Sequence, residues 1–176
     1  MIVTHYNNIY YFKIINTNNI LFSHELVMNG VAVFKDNHIQ GEVVLSDKGH
    51  SVRVVALFTK LPKGLHGFHI HKAGDLRGEG CMGLCEHYDI GRHAHGAGPT
   101  SKKERHTGDL GNISIKTGKK CVRKTYYIKG TSVRDLIGRS IIVHEGEDDL
   151  GQGGFEDSTI TGHSGKRMGC AIIGRS

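Results

Sequence analysis

The sequence predicts an all-β fold: an eight-stranded antiparallel Greek-key barrel or sandwich with two long functional loops. From residue 30 onward, short runs of Val, Ile, Phe and Tyr alternate with turn signals. Glycine is frequent, at 25 of 176 residues, whereas proline occurs only 2 times. No stretch has the period of a long amphipathic helix. Many short strands separated by turns are typical of sandwiches and barrels.

The eight predicted strands follow one another with recognisable turns between them. Asp36-Asn37 and the segment 46–49 separate the first three, and Pro62-Lys63-Gly64 precedes the fourth. The segment 117–119 forms the turn between the fifth and the sixth. The predicted strands cover residues 31–34, 41–45, 52–60, 65–71, 110–116, 121–128, 140–144 and 168–173.

The first 28 residues differ in composition from the rest. They are rich in Asn, Ile and Tyr and contain no glycine. Three interpretations remain open: an added strand, a mobile arm, or sequence upstream of a true start at Met28. We predict an N-terminal extension over 1–28, as a strand or flexible arm, followed by one domain over 29–176. The composition also indicates A+T-rich coding, as in some viral and parasitic genomes.

Two stretches lack strand character, at 72–108 and 145–166. Long loops without regular structure are uncommon in compact domains and are usually functional or disordered. Each begins directly after a histidine, His71 or His144. We therefore predict that metal ligands organise these loops.

Charge and cysteine content exclude several classes of protein. The formal net charge is +6, but Lys and Arg are spread over many segments and aromatic residues do not interleave with them. This favours attraction of a small anion and argues against a nucleic-acid partner. Four cysteines are too few for a disulfide scaffold at this length.

Localisation is predicted from the apolar segments. None is long enough to span a membrane, and the N-terminus lacks the features of a secretory signal. We expect no membrane partner and a cytoplasmic location or, for a viral protein, the host cytoplasm or the virion.

Six histidines and one aspartate have spacings that predict a paired metal site: His69, His71, His87, His95, His106, Asp109 and His144. Strand periodicity places His69 and His71 on one face, with Ile70 on the other. Alone, this H-x-H pattern also fits two surface histidines. His144 ends another apolar strand, and imidazoles without thiolates suit copper(II).

The remaining candidates suit zinc. His95, His106 and Asp109 could form a His/carboxylate shell that His87 closes to four ligands. A deprotonated His87 could bridge the two metals. A zinc finger built on Cys81 and Cys85 would leave the H-x-H pair and His144 unexplained.

These residues lie in segments that resemble the copper/zinc superoxide dismutase family over about 29–175. The matching segments are 64–71 (GLHGFHIH), 104–112 (ERHTGDLGN), 143–154 (VHEGEDDLGQGG) and 165–170 (GKRMGC). The resemblance implies copper bound by His69, His71, His87 and His144, and zinc bound by His87, His95, His106 and Asp109.

Further roles follow from the same resemblance. Asp148 matches a carboxylate that links a copper histidine to a zinc histidine, Arg167 the guanidinium that receives superoxide, and Thr161 the threonine that narrows the channel. Cys81 and Cys170 match the intrasubunit disulfide. The implied reaction is a ping-pong dismutation of superoxide to oxygen and hydrogen peroxide, in which His87 leaves reduced copper and takes up a proton. The alternative is a non-catalytic copper/zinc-binding or copper-chaperone-like relative.

Some positions depart from the family pattern. The spacing from His71 to Cys81 is one residue longer than usual, and that from His95 to His106 is two longer. His93 competes with His95 as a ligand, but the Gly and Pro after His95 favour His95. A pairing of Cys85 with Cys170 stays open as an alternative disulfide. Cys121 is interpreted as packing within a strand, and His66 as a structural histidine.

The resemblance also implies partners. The family is usually a dimer, and Gly74, Ile137, Gly138 and Ile172 match contact positions, whereas Arg175 stands at a place that is normally apolar. Ile160 replaces a lysine that guides the anion in many relatives. The expected partners are superoxide, a second copy of the chain and a copper chaperone.

Overall fold

The computed structural model describes residues 28–77, 79–99, 101 and 104–176 in full, and the strands within 3–26 by their backbone. These first strands are β1 (Val3–Tyr6), β2 (Ile9–Asn16) and β3 (Asn19–Leu26), which pair antiparallel in the order β1-β2-β3. The N-terminal residues thus contain three strands that pair with one another, where the sequence analysis considered a single strand or an arm. The predicted boundary at residue 28 stays a prediction.

The rest of the described chain forms two antiparallel sheets. The five-stranded sheet has the order β12-β4-β5-β6-β9 and the four-stranded sheet the order β11-β10-β7-β8. The strands of the first are β4 (Asn29–Lys35), β5 (Gln40–Lys48), β6 (Ser51–Lys60), β9 (Val122–Lys129) and β12 (Gly174–Arg175). Those of the second are β7 (His66–His71), β8 (Asp109–Ile113), β10 (Ser140–His144) and β11 (Arg167–Ile172).

All eight predicted strands are confirmed, and the all-β sandwich with them. The chain leaves the five-stranded sheet after β6, forms β7 and β8 in the other sheet, and returns to pair β9 with β6. The short β12 is an addition to the prediction. Helical structure in the described residues consists of α1 (Val133–Leu136), α2 (Ser158–Thr161) and one 3-10 turn at Met82–Leu84.

Aromatic side chains join the two sheets. The ring centroids of Phe34 and Phe58 are 5.2 Å apart, and Phe58 contacts Phe68 across the sandwich at 5.9 Å. Tyr126 lies 6.0 Å from Phe68. Offset and edge-on ring pairs of this kind add to the apolar burial that stabilises a core. The core therefore anchors β7, the strand that carries the H-x-H pair.

Alternation along β7 directs its side chains to opposite faces. Phe68 and Ile70 belong to the core, so His69 and His71 lie on the other face. All six residues of the strand are nevertheless buried. The second face is buried because the loops at 72–108 and 145–166 cover it, as shown by backbone hydrogen bonds from Ile70 to Gly108 and from Gly67 to Gly146.

Candidate metal centre

Three adjacent strands and one loop bring the seven predicted ligands together. Within the four-stranded sheet, His69 pairs with Ile142 of β10 and with Asp109 of β8. His144 ends β10 on the same face. The loop at 72–108 supplies the other three, and a β-bridge between His71 and His87 ties its middle to the end of β7.

Four imidazoles form the first group, called here the histidine quartet: His69, His71, His87 and His144. One ring nitrogen from each lies within 4.8 Å of the others. All four residues are buried. The nitrogens that face inward are His69 Nδ1, His71 Nε2, His87 Nε2 and His144 Nε2, and each is buried without a hydrogen-bond partner.

The opposite nitrogens of three quartet rings are each fixed by an oxygen. His71 Nδ1 donates to the Cys85 carbonyl at 2.9 Å, and His144 Nδ1 donates to the Gly165 carbonyl at 3.2 Å. His69 Nε2 lies 2.9 Å from Asp148 Oδ2. Such bonds fix the tautomer and orientation of a metal-binding imidazole. Because buried polar atoms normally have partners, four converging unpaired nitrogens fit a metal ion.

The second group, called here the mixed group, contains His87, His95, His106 and Asp109. Asp109 Oδ1 lies 2.8 Å from His87 Nδ1, 3.0 Å from His95 Nδ1 and 3.4 Å from His106 Nδ1. Three imidazoles and a carboxylate are a donor set typical of zinc. His87 belongs to both groups, with Nε2 toward the quartet and Nδ1 toward the mixed group.

The carboxylate of Asp148 connects the two groups. Its Oδ2 lies 2.9 Å from His69 Nε2 and its Oδ1 2.8 Å from His95 Nε2. Its oxygens also accept a backbone hydrogen bond from Leu150 at 2.7 Å. Asn112 holds the residue itself, through bonds from its amide to the Asp148 carbonyl and from the Asp148 N–H to its side chain. Asp148 therefore lies between His69 and His95, one imidazole from each group.

Burial and the carboxylates act in opposite directions on the imidazoles. Burial lowers the pKa of His69 to about 3 and that of His144 to about 4. Both rings are therefore neutral near pH 7, with a lone pair free for a metal. Burial also acts to lower the pKa of His95, but hydrogen bonds to Asp109 and Asp148 outweigh it and raise the pKa to about 9. Metal binding at His95 would displace a proton.

Arg167 begins β11 beside the quartet. Its Nη1 donates to the carbonyls of Cys81 and Met82 at 2.9 and 3.1 Å, and its Nη2 donates to the Cys85 carbonyl. The Cys85 carbonyl thus holds both Arg167 and the ring of His71. Burial lowers the pKa of Arg167 from its ordinary high value.

The predicted disulfide between Cys81 and Cys170 is confirmed, so the alternative pairing of Cys85 with Cys170 is wrong. Cys85 is a free, exposed thiol. Cys121 is also free and exposed, just before β9, so its interpretation as strand packing is wrong. The strand begins one residue later than predicted, and this leaves the cysteine just outside it.

Two other histidines lie where the sequence analysis placed them. His66 is buried, and its ring bonds to the carbonyls of His144, Glu145 and Pro62. It is a structural histidine. His93 lies outside both groups and bonds to Asp89, so His95 is the member of the mixed group.

Thr161 is the last residue of α2, and its hydroxyl donates to Asp157 Oδ2 at 3.1 Å. The neighbouring Ile160 is 60% exposed.

Sequence reasoning missed three residues that hold the site. Arg105 Nη1 donates to the carbonyls of His106, Thr107 and Asp109, and so fixes the turn that carries two members of the mixed group. Asp89 accepts hydrogen bonds from His93 and Thr107. At Gly162, with φ of +71°, a β-carbon would overlap Asp148 Oδ1 and His95 Nε2. These roles depend on contacts that form only in the folded protein, so the spacing of residues along the sequence does not reveal them.

In the part of the chain that is described, no helix has the length and apolar character needed to cross a membrane.

Comparison with known proteins agrees with this geometry. A family model for copper/zinc superoxide dismutase (SODC) matches residues 39–173. The chain is 41% identical over 152 residues to the superoxide dismutase [Cu-Zn] of Paramecium bursaria Chlorella virus 1, which covers 84% of this chain and 78% of that protein. The solved structure of the clock protein EA4 has a TM-score of 0.75 and 33% identity, covering 83% of this chain and 93% of the other.

A copper chaperone is similar to this chain over a shorter region. The chain is 48% identical over 118 residues to the copper chaperone for superoxide dismutase of Mus musculus, covering 66% of this chain but only 41% of the chaperone. The family model, in contrast, spans both metal-binding groups, Asp148 and Arg167. The chain belongs to the copper/zinc superoxide dismutase family.

Proposed function

We propose that this protein dismutates superoxide, with copper held by the histidine quartet and zinc by the mixed group. The observation that carries the proposal is His87, which has one ring nitrogen in each group. An imidazole shared by two neighbouring metal sites can bridge them and couple a proton to the chemistry at one of them. The family membership of the chain supports copper and zinc as the two metals.

Bound copper would supply one-electron redox chemistry, by which two superoxide ions and two protons become oxygen and hydrogen peroxide. The chain's own residues would orient the site and handle charge. His69, His71 and His144 present neutral nitrogens whose outer partners are fixed. His87 Nε2 would hold the proton that the product requires. Asp109 would balance the charge of the mixed group.

Arg167 is proposed to bind the substrate anion. Its guanidinium is held by three carbonyl groups beside the quartet, so its position is fixed before superoxide arrives. A preorganised cation needs little rearrangement to stabilise an anion. Thr161, whose hydroxyl is held by Asp157, is proposed to narrow the path by which superoxide reaches Arg167.

The copper-chaperone-like alternative has support in the 48% identity to the mouse chaperone. That match leaves more than half of the chaperone without a counterpart in this chain. The complete quartet, together with Arg167, favours turnover because a carrier needs copper ligands but no residue for an oxygen anion.

The test is the rate of superoxide decay catalysed by the metal-replete protein. We expect His144→Ala, which removes one quartet nitrogen, to lower kcat/KM by about 100-fold or more, since metal-supported catalysis contributes several kcal/mol. His50→Ala removes an exposed turn histidine outside both groups and should match the wild type. Equal rates for His144→Ala and the wild type would exclude the enzymatic proposal.

Three further expectations stay predictions. A homodimer is proposed from the family resemblance, and sedimentation of the purified chain would test it. Arg175, at the position where the family is normally apolar, is exposed on β12.

A copper chaperone is proposed as the copper donor. A cytoplasmic location is proposed, and imaging of the tagged full chain would test it.

A further inference from the structure

The carboxylate of Asp89 is almost buried, with its side chain 7% exposed, and belongs to neither metal-binding group. Its Oδ1 accepts hydrogen bonds from the Thr107 backbone N–H, the Thr107 hydroxyl and His93 Nδ1, each at 3.1 Å. Its Oδ2 accepts one from the His93 backbone N–H at 2.7 Å. These bonds overcome the cost of burial and hold the pKa of Asp89 well below its usual value.

The partners of Asp89 lie on two chain segments that each carry two members of the mixed group. His93 is on the segment with His87 and His95, whereas Thr107 directly follows His106. Neither segment is a strand at these positions, and one backbone hydrogen bond joins them beside Asp89, from the Gly108 N–H to the Tyr88 carbonyl at 2.7 Å. The Thr107 hydroxyl also accepts from the Ile90 N–H at 3.2 Å, which adds to the two bonds between Thr107 and Asp89.

A general structural explanation is that a buried carboxylate simply satisfies its own need for donors. That explanation does not account for which donors it finds. Asp89 ties together the two segments whose relative position determines whether His87, His95 and His106 converge. Holding ligands in the bound arrangement before the metal arrives reduces the ordering cost of binding.

We propose that Asp89 is a positioning residue for the mixed group, and that Thr107 is the partner through which it acts. Asp89 holds the two segments together so that zinc is released slowly. The inference rests on the proposed function, because it takes the mixed group as the zinc site.

The experiment measures zinc affinity and zinc release from the full-length, disulfide-intact protein to a chromophoric chelator. Asp89→Ala should weaken zinc binding by about 10- to 100-fold, the usual effect of losing a residue that supports metal ligands. Asp89→Asn should lie between Asp89→Ala and wild type, because its single carbonyl oxygen can still accept from Thr107. Cobalt(II) bound in place of zinc should show an altered visible spectrum in Asp89→Ala.

The matched control is Asp36→Ala. Asp36 Oδ1 also accepts two backbone hydrogen bonds, from His38 and Ile39 at 2.6 Å each, but in the turn between β4 and β5. We expect wild-type zinc release and an unchanged cobalt spectrum. If Asp89→Ala lowers only the unfolding temperature of the metal-free protein, as a lost structural bond would, and keeps wild-type zinc release, the proposal is wrong.

Thr107→Val provides a second variant if Asp89→Ala does not fold. Valine has nearly the same shape but lacks the hydroxyl that donates to Asp89 Oδ1 and accepts from the Ile90 N–H. Zinc release should be several-fold faster, and a wild-type rate would overturn the inference. A wild-type protein that binds no zinc would overturn the proposed function and this inference together. If the wild type binds zinc and the variants release it at the wild-type rate, only the inference about Asp89 is wrong.

Discussion

At the scale of single residues, Asp148 contacts one imidazole from each metal-binding group. Its two oxygens lie 2.9 Å from His69 Nε2 and 2.8 Å from His95 Nε2. Asp148→Asn keeps the shape but replaces one acceptor oxygen by a donor, which cannot accept from an imidazole N–H. We expect metal affinity to fall by about 10- to 100-fold. The measurement is the copper and zinc retained after dialysis against a chelator.

The neighbouring Asp149 is the control for that substitution. Its carboxylate accepts from the Gly151 N–H and the Ser158 hydroxyl and lies outside both groups. Asp149→Asn should retain both metals. Equal metal retention in the two variants would contradict a linking role for Asp148.

The backbone at Cys85 has a conformation that is unfavourable for a residue with a β-carbon. Its φ of 59° and ψ of −158° lie in a region that is essentially reserved for glycine, at a cost of about 1–3 kcal/mol. Cys85→Gly relieves this strain, partly offset by the greater freedom of glycine in the unfolded chain. We expect a net gain of about 1 kcal/mol, or about 2–4 °C in Tm, in thermal unfolding of the metal-free protein.

The control for Cys85→Gly is Cys121→Gly. Cys121 is the other free, exposed cysteine and has no positive φ. The same replacement there should give no gain in Tm. A gain of equal size at both positions would show that loss of a thiol, and not relief of strain, stabilises the protein.

The sequence predicted the seven members of the two groups because their residue types and spacings carry chemical information. It also predicted Asp148, Arg167 and the disulfide, but through family resemblance. Asp89, Arg105 and Gly162 were not predicted. Their roles depend on which loop segments meet in space, and a carboxylate four residues before His93 has no local signal for a bond to Thr107.

At the scale of elements, the disulfide joins the loop at 72–108 to β11. Cys81 and Cys170 are 89 positions apart, and closing a chain segment of that length restricts the unfolded state. Cys170→Ser should lower the free energy of unfolding by about 4 kcal/mol. Urea unfolding of the metal-free protein without reductant measures this, and Cys121→Ser is the control. No change in Cys170→Ser would contradict the prediction.

The predicted strands were accurate to within a few residues because alternation of apolar residues marks them directly. Their register was not predictable, since bulges such as the one between Val143 and His144 depend on neighbouring strands. The short helices α1 and α2 were also missed, because four residues are too few for a helical period. The capping box of Ser132 and Asp135 is the one local signal that could have indicated α1.

At the scale of the whole molecule, the net charge of +6 should assist an anionic substrate. Association of superoxide with a positive protein weakens as salt screens the charges, with a Debye length of about 10 Å at 0.1 M. We therefore expect kcat/KM to fall as ionic strength rises. Stopped-flow or pulse-radiolysis rates in an inert salt would check this, and a salt-independent rate would contradict it.

The position of added charge should matter more than its amount. Ile160 is 60% exposed and adjoins Thr161, so Ile160→Lys would place a cation near the proposed substrate path. One charge about 10 Å from an anion in water contributes ~0.4 kcal/mol, or about a twofold gain in kcat/KM at low salt. Val33→Lys adds the same charge on β4, in the other sheet, where Val33 is 44% exposed. If both variants gained equally, net charge and not local steering would govern the rate.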